Sequence, residues 1–395
     1  MPPNTQRFAI INVHIFDGHA ISQQPVTVLI KGDNIEAIND DSTTAPSGGQ
    51  AQGQENGLVE NNAIIDGEGG ILLPGLIDCH VHVKKPESAR RLTEWGVTTA
   101  LDMASWPRDL WRSIRQYAAK RNLADLRTAG VPATAPGSRH SQMLPGLPDD
   151  ALLTGPEQAA TFVANRVNHD GADYIKLIAD FPIGPSQETL NALVVEAHRH
   201  QKLAVVHAAV YPAAVMAVDA KPDVLTHVPM DRALDETVTS RMKSQNMVAV
   251  PTLSIEESLS KILTRPGVKL DYAHSRASVA ALLAAGVPVF AGTDANDGEI
   301  ANVRHGESLH HELELLVEAG MTPLDALRAA TVEPARYFGL QDRGVIEPGR
   351  LADLILIADN PLEDIKATRS IKRVWCRGTE IKRTHISPKE ISRSG

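Results

Sequence analysis

Two histidines two residues apart, His80 and His82, are the first residues of this chain whose spacing indicates chemistry. They lie in the run Pro74-Gly-Leu-Ile-Asp-Cys-His-Val-His82. Side chains alternate between the two faces of a β-strand, so both imidazoles point to one side while Cys79 and Val81 point to the other. Two imidazoles that converge on one point are suited to binding a metal ion. A His-x-His pair alone also fits buried histidines that only form hydrogen bonds within a core.

Four more candidate ligands follow, each at the end of an apolar run or closing it: Lys176, His207, His227 and Asp294. Together with the first two histidines they form a set of nitrogen and oxygen donors without a thiolate. Such a set suits zinc or another divalent transition metal.

Lys176 lies inside the apolar run Asp173-Tyr-Ile-Lys-Leu-Ile, where an unpaired ammonium group would cost roughly several kcal/mol. A salt bridge, for instance to Asp180, is one explanation. The other is carboxylation by carbon dioxide, which converts the amine into an anionic carbamate able to bridge two cations. We favour the carbamate, because imidazoles on both sides and a carboxylate complete a ligand set for two metal ions.

These candidate ligands lie in a region of alternating strands and helices, from Ile71 to Leu340. Eight units in this length match an α/β fold of the closed (β/α)₈ TIM-barrel type, whose chemistry lies at the carboxyl ends of the strands. An open doubly wound sheet is the alternative, but no Gly-x-Gly-x-x-Gly fingerprint of a dinucleotide site follows any strand. The predicted strands are Leu76 to Val83, Thr98 to Leu101, Leu126 to Gly130, Asp173 to Ile178, Leu203 to His207, Val224 to His227, Met247 to Pro251 and Pro288 to Thr293.

Both ends of the chain contain short β-type runs separated by turn residues, such as Phe8 to Val13. We expect them to build one small β-sandwich. Residues 41–57 are rich in Ser, Thr, Gly, Gln and Asn, which predicts a flexible surface insertion. The predicted domains are an N-terminal part of the sandwich at 1–70, the barrel at 71–342 and a C-terminal part of the sandwich at 343–395.

Four segments carry a resemblance to a known family: Leu73-Pro-Gly-Leu-Ile-Asp-Cys-His-Val-His, Ala291-Gly-Thr-Asp, Thr322-Pro-Leu-Asp-Ala-Leu-Arg-Ala-Ala-Thr and Gly344-Val-Ile-Glu-Pro-Gly-Arg-Leu-Ala-Asp-Leu. With them the chain resembles the amidohydrolase superfamily of metal-dependent hydrolases. The branch it resembles is the binuclear, carboxylated-lysine branch that includes imidazolonepropionase-like and prolidase-like enzymes. The resemblance covers nearly the whole chain and implies a (β/α)₈ barrel with a β-sandwich made from both chain ends.

The resemblance also implies a role for each candidate ligand. The expected cofactors are two divalent metal ions, with zinc favoured. His80, His82 and Asp294 would hold the more buried ion, His207 and His227 the more exposed one, and Lys176, carboxylated by carbon dioxide, would bridge the two.

A water or hydroxide shared by two cations has its pKa lowered toward neutrality, so it is a nucleophile at pH 7. Asp294 can take its proton and pass it to the leaving nitrogen. We therefore expect a hydrolase that cleaves the C–N bond of a small N-acyl amino acid, dipeptide or cyclic amide rather than an ordinary protein peptide bond. The alternatives are a lactonase or esterase, a non-hydrolytic decarboxylation or isomerisation on the same scaffold, and a non-catalytic scaffold protein.

Loop residues after the strands are the candidates for substrate binding. His140, in the polar stretch after the third strand, is the predicted catalytic partner of the substrate carbonyl. Arg139 could bind a substrate carboxylate by its planar fork, although an exposed loop arginine without a function is the alternative. Tyr211, four residues beyond a predicted ligand, and Arg304 and His305, in the loop before a late helix, are further candidates.

Charge and composition exclude other classes of partner. Lys plus Arg is 39 and Asp plus Glu is 48, which gives a net charge of −9 without a basic block. This balance argues against nucleic acid or an anionic membrane as the main partner. Two cysteines cannot form a disulfide framework, and no secretion signal or membrane span is indicated. We expect a cytoplasmic protein that acts on a small molecule, and a homo-oligomer is possible.

Overall fold

The computed structural model describes residues 6–40, 63–144, 146–263, 270–296 and 301–383. The predicted flexible insertion at 41–57 lies outside the described residues. The strands, in chain order, are β1 (Arg7–Ile15), β2 (Val26–Lys31), β3 (Asn34–Asp40), β4 (Ala63–Asp66), β5 (Ile71–Pro74), β6 (Leu76–Val81), β7 (Val97–Asp102), β8 (Asp125–Thr128), β9 (Ile175–Ile178), β10 (Ala204–His207), β11 (Val224–Thr226), β12 (Val248–Val250), β13 (Leu354–Ile357), β14 (Ile371–Cys376) and β15 (Thr379–Glu380). The α-helices are α1 (Pro86–Glu94), α2 (Arg108–Ala119), α3 (Arg139–Met143), α4 (Ala159–Ala164), α5 (Gln187–Arg199), α6 (Tyr211–Ala220), α7 (Glu236–Ser244), α8 (Leu253–Leu263), α9 (Tyr272–Ala284), α10 (Glu307–Glu318), α11 (Pro323–Ala329) and α12 (Val332–Tyr337).

The two ends of the chain meet in one β-rich region. Its strands follow the hydrogen-bonded order β15-β14-β13-β5-β1-β2-β3, with β4 beside β1. Phe8, Ile10 and Val13 of β1 are buried in a core that also contains Leu354 and Trp375 from the C-terminal strands. Strands from both chain ends therefore cover one apolar core, which confirms the predicted β-sandwich.

The sandwich leads directly into the barrel. β5 pairs with β1 and β13, so it belongs to the sandwich, whereas the predicted division after residue 70 placed it with the barrel. The division into domains stays a prediction. Gly75 separates β5 from β6, and a Cβ there would lie 2.1 Å from Thr98 Oγ1. Only a residue without a side chain fits at this crossing.

The parallel strands close into a barrel. β6, β7 and β8 form one ladder and β9 to β12 another. The two ladders are joined where Ala133 bridges to Leu177. On the other side, Ala249 of β12 bridges to Val289, and Ala295 bridges to Val81 of β6. The predicted (β/α)₈ barrel is thus confirmed, and the open sheet is excluded.

The eighth barrel position is a segment without a regular strand, residues 288–295, which we call the closing segment. The prediction of a strand from Pro288 to Thr293 is wrong in this respect, although its position is right. Ala249 N–H donates to the carbonyl oxygen of Pro288 at 2.9 Å, and Cys79 N–H donates to that of Ala291 at 2.9 Å. Regular pairing is interrupted because proline has no N–H to donate and Asp294 has a left-handed backbone, with φ of 58°.

Helices cover the outside of the barrel between consecutive strands. α5 is typical: it begins after Ser186, whose hydroxyl accepts the N–H of Thr189 at 3.2 Å. It buries Leu190, Leu193 and Val194, which share one side of the helix because they are three or four residues apart. In the ranges that the structure describes, no helix is both long enough and apolar enough to cross a membrane.

The closing segment passes β6 so closely that a side chain at Gly292 cannot be accommodated. A Cβ there would lie 2.5 Å from Val250 Cγ1 and 2.9 Å from the backbone nitrogen of His80. We expect Gly292→Ala to lower the free energy of unfolding by about 2–3 kcal/mol, because overpacking forces the neighbours apart. Urea unfolding measures this loss.

The matched control is Gly339→Ala, at a position with φ of 70° and no atom near enough to touch the added carbon. Backbone strain alone should cost about 1 kcal/mol there. Equal losses for the two variants would contradict the close approach at the closing segment.

Candidate metal centre

The barrel brings all six predicted ligands to one mouth. They come from the carboxyl ends of strands and from the closing segment, as expected for a barrel of this type. His80 is in β6 and His82 follows it, Lys176 is in β9, His207 ends β10, His227 follows β11 and Asp294 is in the closing segment.

Asp294 lies at the centre of the more buried part of this group. Its Oδ1 is 2.9 Å from His82 Nε2 and 3.6 Å from His80 Nε2. Two ligand atoms on one tetrahedral ion are about 3.4 Å apart when each bond is about 2.1 Å long. These three donors are therefore spaced as ligands of a common ion would be.

A row of histidine rings continues across the mouth from His80. Ring centres are 4.9 Å apart from His80 to His227, 4.2 Å from His227 to His207, and 4.4 Å from His207 to His140. Two neighbouring groups of donors result. In each group the donor atoms lie within 4.8 Å of one another: His80, His227 and Asp294 in the first, and His140, Asp180 and His207 in the second.

Burial keeps most of these imidazoles neutral, which is the form that binds metal. It lowers the pKa of His80 and His207 well below the usual value and that of His227 to about 3. Burial also acts to lower the pKa of His82, but the adjacent Asp294 carboxylate raises it overall. Burial acts to raise the pKa of Asp294, and His82 outweighs it and lowers that pKa, so Asp294 is an anionic donor.

Lys176 is 3% exposed, and its Nζ donates to Thr226 Oγ1 at 2.7 Å. Burial lowers its pKa to about 7, so the neutral amine is well populated at that pH. A neutral amine is the form that reacts with carbon dioxide. The salt bridge to Asp180, considered above as the alternative, is not formed, because Asp180 pairs with His140.

Asp78 ties together the two segments that carry the buried ligands. Its Oδ1 accepts the backbone N–H groups of His80 and Thr293, both at 3.1 Å. Its Oδ2 accepts the Thr293 hydroxyl at 2.7 Å. Burial raises the pKa of this fully buried carboxyl to about 7. The Asp78 side chain thus fixes β6 against the closing segment at Thr293, one residue before Asp294.

Left-handed backbone recurs at the strand ends of the site. His227, Thr252 and Asp294 have φ of 68°, 54° and 58°. Residues other than glycine rarely adopt this conformation, and it is concentrated at functional sites. Hydrogen bonds stabilise it: His227 N–H donates to Val250 O at 2.9 Å, and Asp294 N–H donates to His80 O at 2.8 Å.

His227 is oriented by two residues that the sequence analysis did not identify. Thr252 Oγ1 lies 2.8 Å from His227 Nδ1, and its own hydroxyl donates to Pro251 O, so it accepts the Nδ1 proton. Glu256 Oε1 lies 3.2 Å from the same nitrogen. With the proton on Nδ1, Nε2 keeps its lone pair for a metal ion.

A buried glutamate from a distant helix supports the loop that carries these residues. Glu312 of α10 accepts the backbone N–H groups of Leu253 and Ser254 at 2.9 and 2.7 Å, and the Ser254 hydroxyl at 2.8 Å. Burial raises the pKa of Glu312 to about 7. Burial also raises the pKa of Glu256 well above its usual value, and the charge of Asp294 adds to this effect.

His140 and Asp180 form a pair beside His207. His140 Nδ1–H donates to Asp180 Oδ1 at 2.7 Å, and the backbone N–H of His140 donates to Asp180 Oδ2 at 3.0 Å. Burial acts to raise the pKa of Asp180, but these bonds lower it overall, so the carboxylate is anionic. The pair leaves Nε2 of His140 as the nitrogen available to a substrate.

Arg139 is the second predicted substrate residue that the structure brings to the mouth. It is exposed at the start of α3, and its positive charge acts to lower the pKa of the buried Glu256. Since Glu256 contacts His227, this charge effect indicates that the Arg139 guanidinium is on the side of the barrel that carries the candidate ligands.

The structure does not show the other three predicted substrate residues in contact with the candidate ligands. These are Tyr211, Arg304 and His305. Tyr211 donates its hydroxyl to Asp235 at 2.5 Å. Arg304 is exposed and donates to Asn302 at 3.2 Å. His305 is fully buried, near the Asp78 carboxyl group. Their roles in binding substrate remain predictions.

Acidic residues are what the sequence analysis missed around the ligands. The sequence contains a signal for Asp78, because strand alternation places its side chain on the same face as that of His80, two residues away. Asp180 was named only as the partner of Lys176 in the alternative that was not favoured, and in the structure it pairs with His140. Glu256 and Glu312 lie in helical stretches that carry no local motif.

Comparisons with known proteins agree with this geometry. Residues 71–381 match the amidohydrolase family. The adenine deaminase of Methylobacterium sp. (strain 4-46) is 26% identical over 322 residues, which cover 77% of this chain and 50% of that protein, so the chain spans half the length of this relative. The ochratoxinase of Aspergillus niger is 26% identical over 381 residues, covering 80% of this chain and 77% of that protein.

The fold has close matches among solved structures. The crystal structure of a Xaa-Pro dipeptidase with bound methionine in the active site aligns with a TM-score of 0.78 and 22% identity. The alignment covers 95% of this chain and 99% of that chain. The chain belongs to the amidohydrolase family, as its strand-end motifs predict.

Proposed function

We propose that the chain is a binuclear metal-dependent amidohydrolase that cleaves the C–N bond of a small N-acyl amino acid, dipeptide or cyclic amide, and that it does so in the cytoplasm. The proposal rests above all on six candidate metal ligands that lie close together at one barrel mouth, beside the His140–Asp180 pair. Family membership supports it, and so does the similarity to an adenine deaminase, whose name describes chemistry at a carbon–nitrogen bond.

The donor set fits two divalent cations. Neutral imidazoles and an anionic carboxylate are ligands that zinc prefers. The ring of His227 lies between those of His80 and His207, so the two groups of donors are adjacent. In the proposed assignment, His80, His82 and Asp294 would hold one ion, His207 and His227 would hold the other, and Lys176, once carboxylated, would supply an anionic ligand to both.

Two divalent cations held here would lower the pKa of the attacking water and polarise the carbonyl of the scissile bond. Asp294 takes the proton of that water as the oxygen bonds to the carbonyl carbon. The C–N bond then breaks, and the leaving nitrogen receives the proton from Asp294.

His140 completes this scheme at the carbonyl oxygen. Asp180 accepts the Nδ1–H and fixes the orientation of the ring, and in the form that carries both ring protons Nε2–H donates to the oxygen on which negative charge develops. Arg139 binds a carboxylate on the substrate through its planar fork.

A substrate screen with metal analysis tests the proposal. We expect two divalent ions per chain, and release of free amine and acid from at least one amide in a panel of N-acyl amino acids, dipeptides, hydantoin-like rings, adenine and lactones. Chelation should abolish turnover, and zinc should restore it. Turnover of lactones alone would favour the lactonase alternative, and a folded chain with close to no bound metal would contradict the proposal.

The role of Lys176 can be tested by chemical rescue. Lys176→Ala removes the carbamate that would supply an oxygen to each ion, so metal content and activity should both collapse. Acetate or propionate added with the metal should restore part of the rate, whereas amines of the same size should not. The control is Lys120→Ala, at an exposed lysine after α2, which should keep its metal and its activity.

Rescue of Lys176→Ala by amines alone, with unchanged metal content, would show that the side chain acts as an ammonium group.

The positioning role of Asp180 can be separated from metal binding. Asp180→Asn should lower kcat by about 10- to 100-fold, with a smaller change in KM and unchanged metal content, because a neutral amide holds the Nδ1–H of His140 less firmly than a carboxylate does. Asp223→Asn is the control, since Asp223 pairs with His198 Nε2 at 2.8 Å but precedes β11, at the end of the barrel opposite the mouth. Its kcat should stay at the wild-type value. Loss of metal from Asp180→Asn would instead make Asp180 a ligand.

A further inference from the structure

A cavity of about 460 Å³ lies among the loops that follow β6 and β7, next to α2 and the end of α3, and one of its wall residues directly follows the predicted ligand His82. Its wall is mainly apolar and includes Trp106, Leu110, Trp111 and Met143. Leu110 is 43% exposed and Met143 is 42% exposed, so two large apolar side chains border an open volume. Small-molecule sites have this size and composition, and covering such a surface with an apolar group is favourable.

The cavity is fixed to the metal centre through the strand ends. Val83, which is part of its wall, directly follows His82 in the chain. Asp102 Oδ2 accepts the N–H of Val83 at 2.7 Å, and Asp102 Oδ1 accepts the N–H of Ala104, another wall residue, at 3.1 Å. The fully buried Asp102 therefore holds the cavity wall against the strand that carries His80.

Helix α3 connects the cavity to the groups that would meet a carbonyl and a carboxylate. Arg139 and His140 begin this helix, and Met143 and Leu144, which line the cavity, come one turn later, about 6 Å along the axis. An amide with its carbonyl at His140 therefore has a cation within reach of one end and an apolar cavity within reach of the other.

We propose that this cavity is the acyl subsite of the enzyme, and that the substrate is an N-acyl amino acid with an aromatic or long apolar acyl group. The inference rests on the proposed amide hydrolysis. A dipeptide fits less well, because its ammonium group would be desolvated against Leu110 and Trp111. A cyclic amide fits less well because it has no separate acyl group to fill the volume.

Two matched substrate series test the proposal on the zinc-loaded full chain. In the first series glycine is constant and the acyl group is acetyl, hexanoyl or phenylacetyl. In the second series acetyl is constant and the amino acid is glycine, leucine or phenylalanine. We expect kcat/KM to rise by about tenfold or more from acetyl to phenylacetyl, because a ring is buried, and by less than about threefold in the second series. A rise confined to the second series overturns the proposal.

A double variant with a polar wall tests the residues themselves. Leu110→Asn combined with Met143→Gln changes the chemistry of the wall at two exposed positions, so folding should be preserved. The ratio of kcat/KM for phenylacetylglycine to that for acetylglycine should fall by about tenfold. The matched control is Val195→Asn on α5, which removes a 49% exposed apolar side chain elsewhere and should leave the ratio unchanged. An unchanged ratio in the double variant overturns the assignment.

Binding without turnover separates this inference from the proposed hydrolysis. Two of the four tryptophans of the chain, Trp106 and Trp111, line the cavity, so tryptophan fluorescence should report phenylacetate. We expect phenylacetate to bind at least about tenfold more tightly than acetate, and the double variant to lose this preference. If the preference is present but no amide is cleaved, the subsite stands and the hydrolysis is wrong. If amides are cleaved but the preference is missing, the hydrolysis stands and the subsite is wrong.

Discussion

Ionisable groups buried next to one another at the barrel mouth set the main constraint on this structure. An isolated buried charge costs several kcal/mol, so each group must be neutral or paired. His80, His207 and His227 are neutral because burial lowers their pKa. Asp294 stays anionic because His82 is next to it. The lone pairs of these imidazoles and of the Asp294 carboxylate therefore surround a small volume. A divalent cation bound in that volume would be stabilised by them.

The second requirement is rigidity of the strand ends, and buried carboxyl groups supply it. Asp78 and Glu312 each accept three hydrogen bonds, and Asp102 accepts four, from backbone N–H groups and hydroxyls of neighbouring segments. A carboxyl group suits this task because its two oxygens can accept several donors at once. Asp78 and Asp102 bind the segments that carry or follow His80 and His82, and Glu312 binds the segment next to Thr252, which orients His227. These three residues are not among the predicted ligands, but they hold the segments around the ligands in place.

We assign specificity and chemistry to different parts of the molecule. The predicted ligands lie on strands and on the closing segment, which the barrel holds in place. The groups that we assign to the substrate lie on α3 and on the loops after β6 and β7. Proteins with the same barrel have names as different as adenine deaminase and ochratoxinase, which is consistent with substrate choice residing in such loops.

The sequence by itself determined the positions of seven barrel strands, the closed barrel, the sandwich built from both chain ends and the six candidate ligands that meet at the mouth. Alternation along a strand fixes where His80 and His82 point, and apolar runs that end in His207 and His227 mark strand ends. These signals are local, so they survive without knowledge of the fold. Only the tertiary structure decided which partner each polar group takes. Asp180 is 40 residues from His140, and Glu312 is 59 residues from Leu253, and nothing local selects these pairs. Pairing depends on distances through space, which the closed barrel sets.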